Sequence, residues 1–222
     1  MRTLAIGDIH GSHNALVTLL KEVRPAAEDK VIFLGDYIDR GPASRQVVEA
    51  LLGLSTTTKA VFLRGNHEVM ILESRQDPLK ESLWRGYGGG QMLESYNVEY
   101  SANWISAIPE AHWRFLERTA RFFENDTHIF VHACLDSELD MRDQSDRLLF
   151  WEFFEQIQPH KSGKKIVCGH SPSRSGELKD VGFAVCIDTG PAIGGWLTCL
   201  DVNSGEYWQA NEKGQNRTGA LV

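Results

Sequence analysis

The sequence predicts an α/β fold with a β-rich ending, and two observations carry that expectation. Short apolar runs alternate with helix-patterned segments at intervals of about 30 residues, the rhythm of βαβ units on a parallel sheet. Several of those runs also empty directly into glycine, aspartate, asparagine or histidine, as strands do when they lead into a crevice.

The elements follow in chain order. "TLAI" (3–6) reads as the first strand. After it, Leu16, Leu19, Leu20 and Val23 fall at i, i+3, i+4, i+7, with Ser12 as N-cap and Pro25 as a stop. "VIFL" (31–34) repeats the plan, followed by a helix carrying Val47, Val48, Leu51 and Leu52 that ends at Gly53. "AVFL" (60–63) opens a third unit. Residues 74–127 hold "WRGYGGGQMLESY" and Pro109, and read as a mainly helical insertion with a glycine-rich loop that lines or covers the crevice. "IFV" (129–131) and "IVC" (166–168) are strands again. "FAVCIDTG" and "GGWLTCLDVNSGEYWQA" read as β-rich, with Asn203, Ser204 and Gly205 in a hairpin turn. From about residue 211 the chain is polar and glycine-containing and is expected to fray.

Composition bounds the function. A chain of 222 residues, 42% hydrophobic and 24% charged, suits one globular domain spanning 1–222. A net charge of −7 argues against wrapping nucleic acid or lying on a membrane surface, so any anion must be attracted locally. The four cysteines, Cys134, Cys168, Cys186 and Cys199, show no CxxC spacing and read as buried reduced thiols. No leader pattern and no run of about 18 apolar residues is present, so the expected location is cytoplasmic.

Aligning the strand ends gives Gly7-Asp8-Ile9-His10-Gly11, Gly35-Asp36, Gly65-Asn66-His67-Glu68, His132 and Gly169-His170. A lone aspartate in such a place is ordinarily an Asx turn, and a lone histidine a surface or core residue; the ordered set is what points to a site. Asp8, His10, Asp36, Asn66, His132 and His170 offer carboxylate, imidazole and amide groups without thiolate, a donor set for a divalent ion such as Mn, Fe or Zn. Six ligands exceed one small site, which points to two ions sharing a carboxylate, with Asp36 the candidate bridge. His13, His112, His128 and His160 lack this context and read as ordinary histidines.

"GDIHG", "GDYIDRGP", "LRGNHE", a later "VHA" and "GHSP" together resemble the ordered signature of the phosphoprotein phosphatase family of metallophosphoesterases, notably its small bacterial and phage-type serine/threonine phosphatases. The resemblance implies a calcineurin-like domain: a β-sandwich flanked by helices in αββα layers, with a dinuclear metal site at the strand ends. It implies one ion on Asp8, His10 and Asp36 and a second on Asp36, Asn66, His132 and His170, Mn foremost, with a bridging water or hydroxide attacking phosphorus in line. His67 matches the family's general acid and Asp39 the carboxylate that orients it, while Arg40 and Asn66 match phosphate-binding positions. Arg64 is expected in a support role through a carboxylate. Larger members of that family use a further phosphate-binding arginine; Arg142, Arg147 and Arg174 are available for it here, and the sequence leaves open which of them, if any, takes that role. The implied substrates are phosphorylated proteins or small phosphorylated molecules. A dinucleoside polyphosphate hydrolase is the alternative, and the intact His67 and Asp39 argue against a binding module that has lost catalysis.

Overall fold

The computed structural model describes residues 1–98 and 103–221; residues 99–102 of the expected insertion and residue 222 of the expected frayed tail lie outside them. The chain runs β1 (Thr3–Ile6), α1 (His13–Val23), β2 (Lys30–Phe33), α2 (Ser44–Leu54), β3 (Lys59–Phe62), α3 (Asn66–Ser74) and α4 (Pro78–Trp84). After a π-helical turn at Arg85–Gly89 come α5 (Gly90–Ser95), α6 (Trp104–Ala107), α7 (Glu110–Glu117), β4 (Phe122–Glu124), β5 (His128–Val131) and α8 (Asp146–Trp151). It ends with β6 (Lys165–Cys168), β7 (Lys179–Asp180), β8 (Ala184–Cys186), β9 (Leu197–Asp201), β10 (Glu206–Ala210) and β11 (Asn216–Ala220).

The strands form two sheets, ordered β11-β10-β9-β1-β2-β3 and β4-β5-β6-β8-β7. Both are mixed. β1, β2 and β3 pair in parallel and so do β5, β6 and β8, but β9, β10 and β11 extend the first sheet antiparallel. The parallel-sheet expectation therefore holds only for the centre of each sheet.

Period-two alternation explains why the strands read as unbroken apolar runs. Ala5, Ile32, Leu34, Phe130, Val167, Val185, Ile187 and Leu200 meet in one buried layer between the sheets. Their neighbours Leu4, Ile6, Val31 and Phe33 turn outward against helix residues such as Leu16, Leu19, Val47 and Leu51. On the far side, Ile129, Val131, Ile166 and Cys168 pack against Leu149, Phe150 and Phe154. The central strands β1, β2, β5, β6, β8 and β9 bury both faces, giving the αββα layering. All four cysteines are buried and free.

Three local expectations need correction. Ser12 stands at the start of α1, but its side chain makes no capping bond. The 74–127 segment is helical only to Glu117 and ends in β4, an edge strand paired with β5. The tail is not frayed through its described length: β11 pairs with β10, and Gly219 lies under the Tyr207 ring, where a Cβ would collide. Cross-strand cover of a glycine by an aromatic ring stabilises an edge that composition alone disfavours.

Candidate active site

The loops after β1, β2, β3, β5 and β6 converge on one crevice. The Ile9 and His10 N–H groups both donate to the Asp36 carbonyl, at 3.0 and 2.8 Å, and the Gly169 N–H donates to the His132 carbonyl at 2.8 Å. His10, Asp36, Asp39, Arg40 and His170 all have positive φ, between 47° and 71°. Such backbone costs non-glycine residues roughly 1–2 kcal/mol each and persists where the surroundings over-determine it. A Cβ on Gly65 would strike the Asp36 carboxylate, and one on Gly169 the Asp8 carboxylate, so these two positions admit only glycine.

Asp36 sits at the centre. Its Oδ2 lies 3.3 Å from His10 Nε2 and its Oδ1 3.6 Å from His132 Nε2. The same Oδ1 accepts the His67 N–H at the start of α3, at 3.0 Å. Burial raises its pKa, but the imidazoles of His132, His67 and His10 outweigh that and hold it well below the usual carboxylate range. Glu68 fixes the loop: its two oxygens accept the backbone N–H groups of Asp36, Tyr37 and Gly65 at 2.8–2.9 Å. Burial, with the Asp36 charge adding, pushes Glu68 up to about 8 against the pull of those donors.

The donor set fits divalent ions. His10 Nδ1 and His132 Nδ1 are engaged by the carbonyls of Ile38 and Leu34, each at 2.9 Å, which leaves Nε2 of both rings as the inward lone pair. His132 Nε2, His170 Nδ1 and Asn66 Oδ1 lie 3.0–3.2 Å from one another. Burial lowers the pKa of both rings against the pull of the Asp36 charge, and the His132 ring adds to the shift of His170, which falls to about 4. Three lone pairs then face one point, the arrangement a cation satisfies. Two groups of converging ligand atoms stand out among the described residues, His10–Asp36–His67 and Asp36–His132–His170, and Asp36 belongs to both.

Asp8 adjoins the cluster but is turned differently. Its oxygens accept the His170 N–H at 3.1 and 3.2 Å, and it is in neither converging group. Burial, with Asp188 and Asp36 adding, lifts its pKa well above the ordinary value. Asp188 was not singled out in the sequence. It is buried, accepts the Gly190 N–H at 3.0 Å, and is raised to about 6 chiefly by burial. Its signal was available: "IDTG" repeats the pattern of an apolar strand ending in aspartate and glycine.

His67 and Asp39 form a fully buried pair, Nδ1 to Oδ2, at 2.6 Å. Trp84 of α4 donates to the same Oδ2 at 2.9 Å, a second contact that residue-type reasoning missed. Burial lowers His67 to about 3 and raises Asp39 well above its ordinary value. A contact of 2.6 Å is a hydrogen bond that shares one proton between Oδ2 and Nδ1. Nε2 of His67 is buried, has no partner, and faces Asp36 Oδ2 at 4.0 Å. Arg40 is exposed; its Nη1 donates to His10 Nε2 at 3.0 Å, and its backbone N–H donates to the Gly88 carbonyl of the glycine-rich loop at 3.1 Å.

Arg64 departs from the expected carboxylate partnership. It donates to the Thr119 hydroxyl at 3.0 Å and to the Glu117 carbonyl at 2.8 Å, tying the end of α7 to β3. Of the three arginines left open, Arg142 lines a separate cavity with Asp140, His160 and Lys161, and Arg147 lies 3.8 Å from Glu152. Arg174 lines a cavity of about 270 Å³ with Thr189 and Ile193. The ordinary histidines stay outside the cluster: His112 meets the Tyr96 hydroxyl at 2.8 Å, and His160 meets Ser162 and the Leu139 carbonyl.

A sandwich of two mixed sheets with buried aspartate, histidine and asparagine at its strand ends defines a metallophosphoesterase. The model of the calcineurin-like phosphoesterase family matches residues 1–192, and the chain belongs to that family. It is 30% identical over 203 residues to serine/threonine-protein phosphatase 1 of Salmonella typhimurium, covering 87% of this chain and 88% of that one. It is 25% identical over 229 residues to the asymmetrical bis(5'-nucleosyl)-tetraphosphatase PrpE of Anoxybacillus flavithermus, covering 88% of each. A protein serine/threonine phosphatase from Saccharomyces cerevisiae superposes with a TM-score of 0.62 at 17% identity, over 100% of this chain and 80% of that one, a likeness of fold. The protein is therefore a hydrolase of phosphoric esters whose family implies divalent metal ions. Among the described residues no helix is long and apolar enough to cross a membrane.

Proposed function

We propose that the protein is a two-metal phosphomonoesterase acting on phosphorylated proteins, phosphoserine and phosphothreonine foremost and phosphotyrosine as well. Asp8, His10 and Asp36 would hold one ion and Asp36, Asn66, His132 and His170 the other, with Mn the first choice and Fe or Zn the alternatives. Such ions supply Lewis acidity and a water activated near neutral pH. Arg40, exposed at the crevice with its planar fork, binds phosphate oxygens, and the Asn66 side chain orients the same group. His67 donates the Nε2 proton to the departing oxygen, and Asp39 keeps Nδ1 occupied so that Nε2 is the proton-bearing atom.

The observation that carries this reading is the unpartnered, buried Nε2 of His67, backed by Asp39 at 2.6 Å. A serine or threonine alkoxide is a poor leaving group and needs that proton. A nucleotide leaving from an anhydride departs as a phosphate, whose second pKa is about 6, and needs it far less. His67→Asn in the Mn-loaded protein should cut phosphoserine-peptide turnover by roughly 10²–10⁴-fold while cutting hydrolysis of a dinucleoside tetraphosphate much less. The reading fails if the native protein prefers the dinucleoside tetraphosphate, in kcat/KM, to every phosphopeptide and aryl phosphate offered.

A further inference from the structure

Phe153 stands where an ordinary core phenylalanine would not. In "FWEFF", Phe150 and Phe154 are 2% and 5% exposed and pack beneath the second sheet, whereas Phe153 is 58% exposed. Its ring lies 5.7 Å, centroid to centroid, from the His170 ring, with a tilt of 33°. The backbone beside it is pinned to the site: the Phe154 N–H donates to Oγ of Ser171, the residue after His170, at 2.9 Å. The side chain is thus held at the rim of the crevice, one ring away from a candidate ligand, with its outer face in water. Single exposed apolar residues are common and carry no meaning by themselves; the ring contact with His170 and the Phe154–Ser171 bond give this one a position relative to the candidate site.

We infer that Phe153 is a specificity-determining residue, a stacking surface for leaving groups that carry a flat aromatic ring, aryl phosphates above all; this rests on the phosphomonoesterase reading. An aromatic ring offset-stacked on a fixed phenylalanine gains affinity that an aliphatic chain of similar size does not. No tyrosine or tryptophan hydroxyl or N–H is needed, because the ester oxygen is already served by His67.

The test compares the Mn-loaded native protein with Phe153→Ala, Phe153→Leu and Phe153→Tyr. Two quantities are read: the ratio of kcat/KM for phenyl phosphate over glycerol 2-phosphate, and the ratio of calorimetric affinities for phenylphosphonate over methylphosphonate. Both ratios should fall about tenfold in Phe153→Ala and Phe153→Leu and be kept in Phe153→Tyr. Unchanged ratios in Phe153→Ala overturn the inference. A fall seen only with adenosine 5'-monophosphate assigns the surface to a nucleobase and overturns the aryl assignment. A native protein that turns over no monoester sinks the phosphatase reading alone, since the phosphonate ratio still decides the role of Phe153.

Discussion

Glu68 shows how much of the candidate site is shaped by a carboxylate that faces backbone N–H groups. Three backbone N–H groups, from Asp36, Tyr37 and Gly65, point at its two oxygens, so the bend that carries Asp36 is shaped by one carboxylate. In Glu68→Gln the amide must turn its NH2 toward at least one of those donors. The expected loss is about 1–3 kcal/mol in chemical denaturation, together with weaker Mn binding by calorimetry. Residue by residue, the candidate site was largely legible, because glycine, aspartate and histidine at strand ends are rare in series and each has a specific task. The bond of Trp84, a residue of the segment expected to line the crevice, to Asp39 and the place of Asp188 were not legible, for different reasons. Trp84 reaches Asp39 from a helix 45 positions later, and nothing local marks a tryptophan N–H as a partner. Asp188 follows an apolar run that looked like part of a β-rich tail. Arg64 meets a hydroxyl and backbone carbonyls in place of a carboxylate, since its five N–H donors can be satisfied by any nearby oxygen acceptor.

At the scale of elements, the first two strands are tied at their starts by Arg2 and Asp29. Asp29 accepts the Arg2 backbone N–H at 2.7 Å, the Arg2 guanidinium at 2.7 and 2.9 Å, and the Ala26 N–H at 3.1 Å. Burial opposes ionisation, yet these donors lower its pKa from 3.8 to about 2. A depressed carboxylate stabilises the fold above its unfolded pKa and loses that contribution as pH falls through the folded one. Asp29→Asn should therefore cost about 2 kcal/mol at pH 6, with the gap to native narrowing between roughly pH 4 and 2 in urea denaturation. The strands of the two sheet centres were readable because both faces are buried and the runs are apolar throughout. β4, β7 and β11 were not, because edge strands of two to five residues bury one face or less and leave no apolar run. β11 owes its place to pairing with β10, information held in another part of the chain.

At the scale of the whole molecule, the candidate ligands are divided between the sheets. Asp8, Asp36 and Asn66 follow β1, β2 and β3 of the first; His132 and His170 follow β5 and β6 of the second. Ions bound there would join the two halves and stabilise only the docked state. Adding Mn at about 100 times its Kd should raise Tm by roughly 5–10 °C over chelated protein, and Asp36→Asn should abolish most of that shift. An equal shift in Asp36→Asn would remove that aspartate from the centre. The same division bears on how the chain is made. β1 lies between β2 and β9, and its pairing with β9 joins Leu4 to Asp201 and Ile6 to Cys199. Emerging from a ribosome at about 5–20 residues per second, the second strand of that pair arrives roughly 10–40 s after the first. Through that interval one side of β1 presents unpaired backbone N–H and C=O groups, an open edge able to pair with another chain. The candidate ligands can meet only after β5 and β6 have been made, so a product that stops before His132 carries the early motifs without the second group of ligands.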